Sequence, residues 1–185
     1  DLHLLSRRQR QMCIRDSYSD DEEGGRFAAL AMKERGRKDI VAVLGPQDNP
    51  AVVDRLRGYR TVLGEELPGA NVIYTGWNSG DGYQAMHQIL ARKIAFDGVL
   101  CGSDRIAAGV ITALNEAGLS VPEDVSVVGF DDHEIAACCV PALTTVRQPL
   151  REEGHMAANI ALDMIKGAEP TTSVMHMQLI QRDSL

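Results

Sequence analysis

The chain has 185 residues, 44% of them hydrophobic and 24% charged, proportions that suit a water-soluble globular fold with one sizeable core. A formal net charge of -7 argues against a nucleic-acid surface on this polypeptide, because phosphate binding needs clustered, unopposed Lys and Arg. No apolar run approaches the ~18 residues needed to span a bilayer and no secretion signal is legible, so a cytoplasmic location with no membrane partner is expected.

Residues 1–19, with the dense Arg and Gln of DLHLLSRRQRQMCIRDS, show no sustained amphipathic period and are excluded from the fold as a scar or disordered arm. From Asp20 the chain alternates helix and strand with short connections, the order that builds a doubly wound parallel α/β sheet. Asp20 and Asp21 cap a helix with Phe27, Ala28, Ala31 and Met32 on one face and Gly36 as its stop. Ile40 to Gly45 (IVAVLG) is a buried strand, and Asn49 before Pro50 opens a helix carrying Val52, Leu56, Tyr59 and Leu63.

Asn71 to Thr75 is the next strand, followed by a helix with Tyr83, Met86 and Leu90 in a stripe. GVLC, ending at Cys101, precedes a helix capped by Ser103 and Asp104, whose Ile106, Ala107, Val110, Ile111 and Leu114 form the strongest helical stripe in the chain. VSVVGF is then an apolar strand that stops abruptly at Asp131 and Asp132, followed by a short polar turn. Pro141 to Pro149 is extended, because residues before proline avoid helical dihedrals. Glu152 to Lys166 is an amphipathic helix with Ala157, Ile160, Ala161, Met164 and Ile165 on one face, and VMHMQLIQRDS closes the chain as an edge strand.

The four cysteines, Cys13, Cys101, Cys138 and Cys139, lack paired zinc spacing and are reduced thiols in this reading, with no metal or cofactor expected. In a parallel sheet the residues just past each strand gather on one rim, and ligands bind there where the strand order reverses. That rim would hold Asn49, nearby Arg55, Trp77, Ser103 with Asp104, and Asp131 with Asp132. Asp accepts from paired hydroxyls, Arg donates in a planar fork, and an indole ring covers the apolar face of a sugar or purine. Each also has a plain role: Asp131 can cap a turn, Trp77 can fill core, Arg55 can share a solvated face with Arg57, and Ser103 with Asp104 can be only a helix cap. No Ser–His pairing, G-x-S-x-G or Gly-rich phosphate loop assembles a catalyst, so an enzyme is not expected.

The strings DDEEGG (Asp20–Gly25), RLRGY (Arg55–Tyr59), FDGVLCGSD (Phe96–Asp104), GLSVPEDVSVVGFDD (Gly118–Asp132) and PALTTVRQP (Pro141–Pro149) resemble, in order and spacing, the effector-binding domain of the LacI/GalR family of transcriptional regulators. The resemblance implies a clamshell like that of periplasmic sugar-binding proteins, with a small-molecule effector between two lobes. In an intact, homodimeric regulator it also implies operator DNA contacted only by a separate helix-turn-helix headpiece.

By the same resemblance Arg55 matches the arginine that holds the effector, Asp131 the aspartate after the VVGF strand, Trp77 the stacking aromatic and Gln148 the glutamine at the lobe crossover. Ser103 stands where sugar-responsive members often have Asn. Asn49 stands where the purine-responsive branch has Arg, which favours a sugar over a purine.

The resemblance further places 20–145 and 171–185 in the C-terminal lobe and 146–170 in a crossover and helix belonging to a mostly missing N-terminal lobe, so the Glu152–Lys166 helix is expected to expose its apolar face. A periplasmic-type sugar-binding protein of a transporter shares the clamshell and is the alternative reading.

Overall fold

The computed structural model describes residues 17–167 and 173–185. Cys13, most of the expected scar or arm, and the expected boundary at 170/171 lie outside the described residues. The chain divides into two compact units: Asp21–Gln148 with Gln178–Leu185, and residues up to Asp20 with Pro149–Met177.

In chain order the elements are β1 (Ser17–Ser19), α1 (Asp21–Glu34), β2 (Ile40–Leu44), α2 (Pro50–Leu63), β3 (Val72–Tyr74), α3 (Ser79–Arg92), β4 (Gly98–Cys101), α4 (Asp104–Glu116), β5 (Ser126–Asp131), α5 (Glu134–Cys138), β6 (Thr144–Arg147), α6 (Leu150–Ile165), β7 (Ser173–Met175) and β8 (Gln178–Ile180). The larger unit is built on a six-stranded sheet of order β3-β2-β4-β5-β6-β8. Its first five strands are parallel, and β8 closes the edge antiparallel to β6.

Both faces of this sheet are covered, which is why its strands read as unbroken apolar runs rather than alternations. Val41, Val43, Val99, Cys101 and Val127 form one cluster with Met86, Ile89, Ile106, Val110 and Leu114 of α3 and α4. Ile40, Ala42, Leu44, Leu100, Val128 and Phe130, the alternate residues of the same strands, are equally buried beneath the α1–α2 pair. α1 and α2 cross at Gly25 and Gly58: a Cβ on Gly58 would come within 2.2 Å of the Glu22 carbonyl oxygen. Only glycine permits that approach, and it brings Asp21 at the start of α1 to Arg55 on α2.

Two local expectations change. The polar turn after β5 contains the short helix α5, started by His133, whose Nδ1 accepts from the Ile135 amide; five residues are too few to display a helical period. The C-terminal strand is two strands broken at His176 and Met177, because β7 pairs with β1 in the smaller unit while β8 pairs with β6 in the larger. Alternation alone does not say which neighbour a strand will find. The compact units meet in sequence at Asp20/Asp21, Gln148/Pro149 and Met177/Gln178.

In the smaller unit α6 buries only Ile160, leaving Leu150, Met156, Leu162, Met164 and Ile165 exposed. No helix among the described residues is long and apolar enough to cross a membrane.

Candidate functional site

The chain passes from β2 outward to β3 and then returns to place β4 on the other side of β2, so the strand order reverses between β2 and β4. At the carboxyl ends around this point lies a cavity of about 400 Å³ lined by Asn49, Ala51, Arg55, Trp77, Ser103, Arg105 and Asp131. Five of the six residues expected to bind ligand therefore share one concavity. Gln148, the sixth, does not line it but donates from Nε2 to Asp131 Oδ1 at 2.5 Å.

Arg55 is not on a solvated face. It is 4% exposed, while neighbouring Arg57 reaches into solvent to pair with Glu22 and Asp54. The Arg55 Nε donates to Asp21 Oδ1 at 2.8 Å and Nη1 to the Gly102 carbonyl at 2.5 Å. Its guanidinium carbon lies 3.7 Å from the Phe130 ring centroid. A flat cation of this kind is less costly to bury than an ammonium, because its donors are met in plane and its face rests on an aromatic ring. Nη1 stands 3.7 Å from Asp131 Oδ1, so the fixed cation also faces the acid at the end of β5.

Asp131 adopts φ +110° and Asp132 φ +56°, left-handed values rarely seen outside glycine, which turn the chain sharply off the strand. Burial pushes the Asp131 pKa above its ordinary range, opposed by Arg55 and by the Gln148 hydrogen bond. The Asp132 side chain turns the other way. It accepts from Arg147 Nε at 2.7 Å and Arg182 Nη2 at 2.6 Å. Burial works against the Asp132 charge, but these two cations outweigh it and hold the pKa low. Asp131 and Asp132, equivalent in sequence, thus divide into a cavity acceptor and a structural anchor.

The remaining polar side chains have two roles at once. Asn49 caps α2, its Oδ1 accepting from the Ala51 amide at 3.0 Å, and Ser103 caps α4 by accepting from the Ile106 amide at 3.2 Å. Both line the cavity while doing so. Trp77 is half-buried, its ring packed over Gly45 and against the α3–α4 core, with the rest open to the cavity. Core filling and lining the cavity are therefore not alternatives for this residue.

Asp104 departs from its expected place beside Ser103 on the rim. It is fully buried under the turn, accepting from the His133 amide at 2.7 Å and the Thr145 hydroxyl at 2.5 Å. Burial raises its pKa to about 7; those two bonds pull it down and the nearby Asp131 and Asp132 push it up.

Arg105 is an exposed lining cation that the sequence reading missed, although its place two residues after the Ser103 cap put it in the first turn over the cavity. Asp21, Phe130 and the Gly102 carbonyl, the groups that immobilise Arg55, carried no local signal. The assembled surface offers a carboxylate acceptor, guanidinium, amide and hydroxyl groups, and an indole face, a set suited to holding a small polyhydroxylated or heterocyclic molecule.

The family model for the periplasmic binding protein-like domain matches residues 29–185. Among curated relatives, the chain is 38% identical over 168 residues to the HTH-type transcriptional repressor PurR of Escherichia fergusonii, covering 88% of this chain and 49% of that protein. The chain thus spans about half the length of the curated relatives it matches. Among solved structures, the transcriptional regulator CelR in complex with cellobiose superposes with a TM-score of 0.86 at 36% identity, covering 92% of this chain and 54% of that one. A LacI family transcriptional regulator from Enterococcus faecalis V583 with bound ribose superposes with a TM-score of 0.83 at 30% identity, covering 91% and 62%.

Proposed function

The chain belongs to the periplasmic-binding-protein-like domain family, as the effector-binding domain of LacI-type regulators, and from that premise we propose that it is the effector-sensing part of a transcriptional regulator and binds a sugar. The observation that carries this reading is the cavity at the strand-order reversal, where Asp131 is oriented by Gln148 and Arg55 beside the Trp77 ring. A carboxylate held by one donor and one facing cation keeps lone pairs directed for paired hydroxyls, and an adjacent indole covers the C–H face of a pyranose or furanose. Arg55, Asp131, Trp77, Ser103 and Asn49 make direct contacts in this reading, and Gln148 acts by holding Asp131. The neutral Asn49 where the purine-responsive branch carries Arg favours a sugar.

A purine is the second reading, supported by the 38% identity to a protein named PurR. The two separate by a thermal-shift comparison of cellobiose, ribose and guanine on the full-length protein. A ligand at one hundred times its dissociation constant stabilises by about 2.7 kcal/mol, and a sugar rather than guanine should do so.

In the intact regulator, the larger unit supplies one wall of the effector site. Ligand closure then shifts how paired headpieces fit operator half-sites, provided the ligand binds the two lobe orientations with different affinity. An electrophoretic mobility shift of full-length homodimer on its upstream DNA should change on adding the stabilising sugar. Sugar binding with no DNA binding by the full-length protein would favour the transport alternative instead.

A further inference from the structure

The turn that carries Asp131 is held from below by groups that do not line the cavity. Thr145 on β6 lies directly across from Gly129 on β5. A Cβ at Gly129 would come within 2.3 Å of Asp104 Oδ1, so glycine there opens the space through which the α4 carboxylate reaches the sheet. In that space the Thr145 hydroxyl donates to Asp104 Oδ1 at 2.5 Å and accepts from the Asp132 amide at 3.4 Å. Asp104 Oδ2 accepts from the His133 amide at 2.7 Å. The two amides that follow Asp131 thus end on one buried carboxylate, one directly and one through a hydroxyl.

Two consecutive non-glycine residues at positive φ persist only where the surroundings over-determine them. From the side-chain end, Arg147 and Arg182 hold the Asp132 carboxylate; from the backbone end, Asp104 holds the two amides. We propose that Asp104 is a positioning residue for the effector site: through the Thr145 hydroxyl and the His133 amide it locks the left-handed turn that aims Asp131 into the cavity. This rests on the reading of Asp131 as a ligand acceptor and adds the group that sets its orientation.

The device has a charge state. The groups facing Asp104 are Asp131 at the end of β5, Asp132 and His133 just beyond it, Thr145 on β6, Cys101 at the end of β4 and Cys139 after α5. Arg147 and Arg182 act on it only at one remove, through Asp132. Burial raises both thiols and so keeps them neutral. Burial of Asp104 itself is the main push that brings it to about 7, opposed by its two hydrogen bonds and aided by the two neighbouring carboxylates. Ionised, its two acceptor bonds are charge-assisted and roughly twice as strong as neutral ones. Protonated, it still accepts from His133, but the turn is held less tightly.

The test has two arms. In the first, the 185-residue chain is followed by amide NMR from pH 5 to 9 without ligand. The His133 amide proton should gain a downfield component as Asp104 ionises, with a midpoint near neutral, and the Asp131 amide should follow with the same midpoint; Asp104→Asn should remove that component from both. Titration curves that are the same in wild type and Asp104→Asn, or a difference confined to His133 while Asp131 stays still, overturn the proposal.

In the second arm, cellobiose, ribose and guanine are titrated into full-length protein. Thr145→Val should weaken the binding probe about tenfold while Thr145→Ser, which keeps the hydroxyl, stays within about twofold of wild type. Equal loss in both variants, or none in either, sinks the proposal. If no probe binds wild type, the ligand reading fails and the first arm still decides whether Asp104 controls the turn.

Discussion

Asp131 Oδ1 receives the Gln148 amide at 2.5 Å and faces Arg55 Nη1 at 3.7 Å, so one hydrogen-bond donor and one buried cation bear on a single oxygen. Arg55 is itself nearly enclosed, and its interactions do not all serve the ligand. Arg55→Ala would leave Asp21 and the Gly102 carbonyl without their buried donor, a change expected to destabilise by about 2–4 kcal/mol. Arg57→Ala, two residues on, removes two exposed pairs and should stay within about 0.5 kcal/mol of wild type. Urea unfolding of both variants checks the contrast.

Asp131→Asn should separate binding from stability. Because burial disfavours the Asp131 charge, a neutral amide of the same shape should leave the unfolding midpoint unchanged or slightly higher. The thermal shift with the stabilising sugar should vanish. Trp77, the only tryptophan in the chain, should report the same loss as a ligand-dependent fluorescence change seen in wild type and absent in Asp131→Asn.

Asp104 predicts a pH dependence with a definite sign. Its pKa rises from an ordinary 3.8 to about 7 on folding, so between those values the native state holds a proton that the unfolded chain has lost. Its contribution to stability is fully present below about pH 4 and falls by about 1.4 kcal/mol per unit as pH rises toward 7, then levels off. Asp132, held low by Arg147 and Arg182, acts oppositely: its contribution is present above its ordinary range and is lost as acid protonates it. Subtracting the Asp104→Asn stability profile from that of wild type, by urea unfolding at a series of pH values, should isolate the Asp104 slope.

The exposed face of α6 makes a further expectation. Leu162 and Ile165 are 54% and 82% exposed, so Leu162→Glu with Ile165→Glu should leave the unfolding midpoint of the chain nearly unchanged. The same pair should reduce concentration-dependent light scattering, because it interrupts an apolar stripe open to water.

The sequence by itself determined the layered fold and the rim. A parallel strand covered on both faces is apolar along its run, as IVAVL and VVGF are, and a helix that opens behind it needs a cap such as Asn49 or Ser103. Strand ends of one direction then have to lie along one edge, which is why Asn49, Trp77, Ser103 and Asp131 could be grouped without coordinates.

Only the tertiary structure decided what each charge does. Arg55 and Arg57 are alike in the sequence, yet the Gly25–Gly58 crossing encloses one and leaves the other in water. Asp131 and Asp132 are adjacent, yet Arg182, from the far end of the chain, claims the second. Asp104 looked like half of a helix cap until β6 placed a hydroxyl over Gly129 to receive it. Burial and ion pairing depend on which distant elements close over a side chain, and no local period or spacing records that.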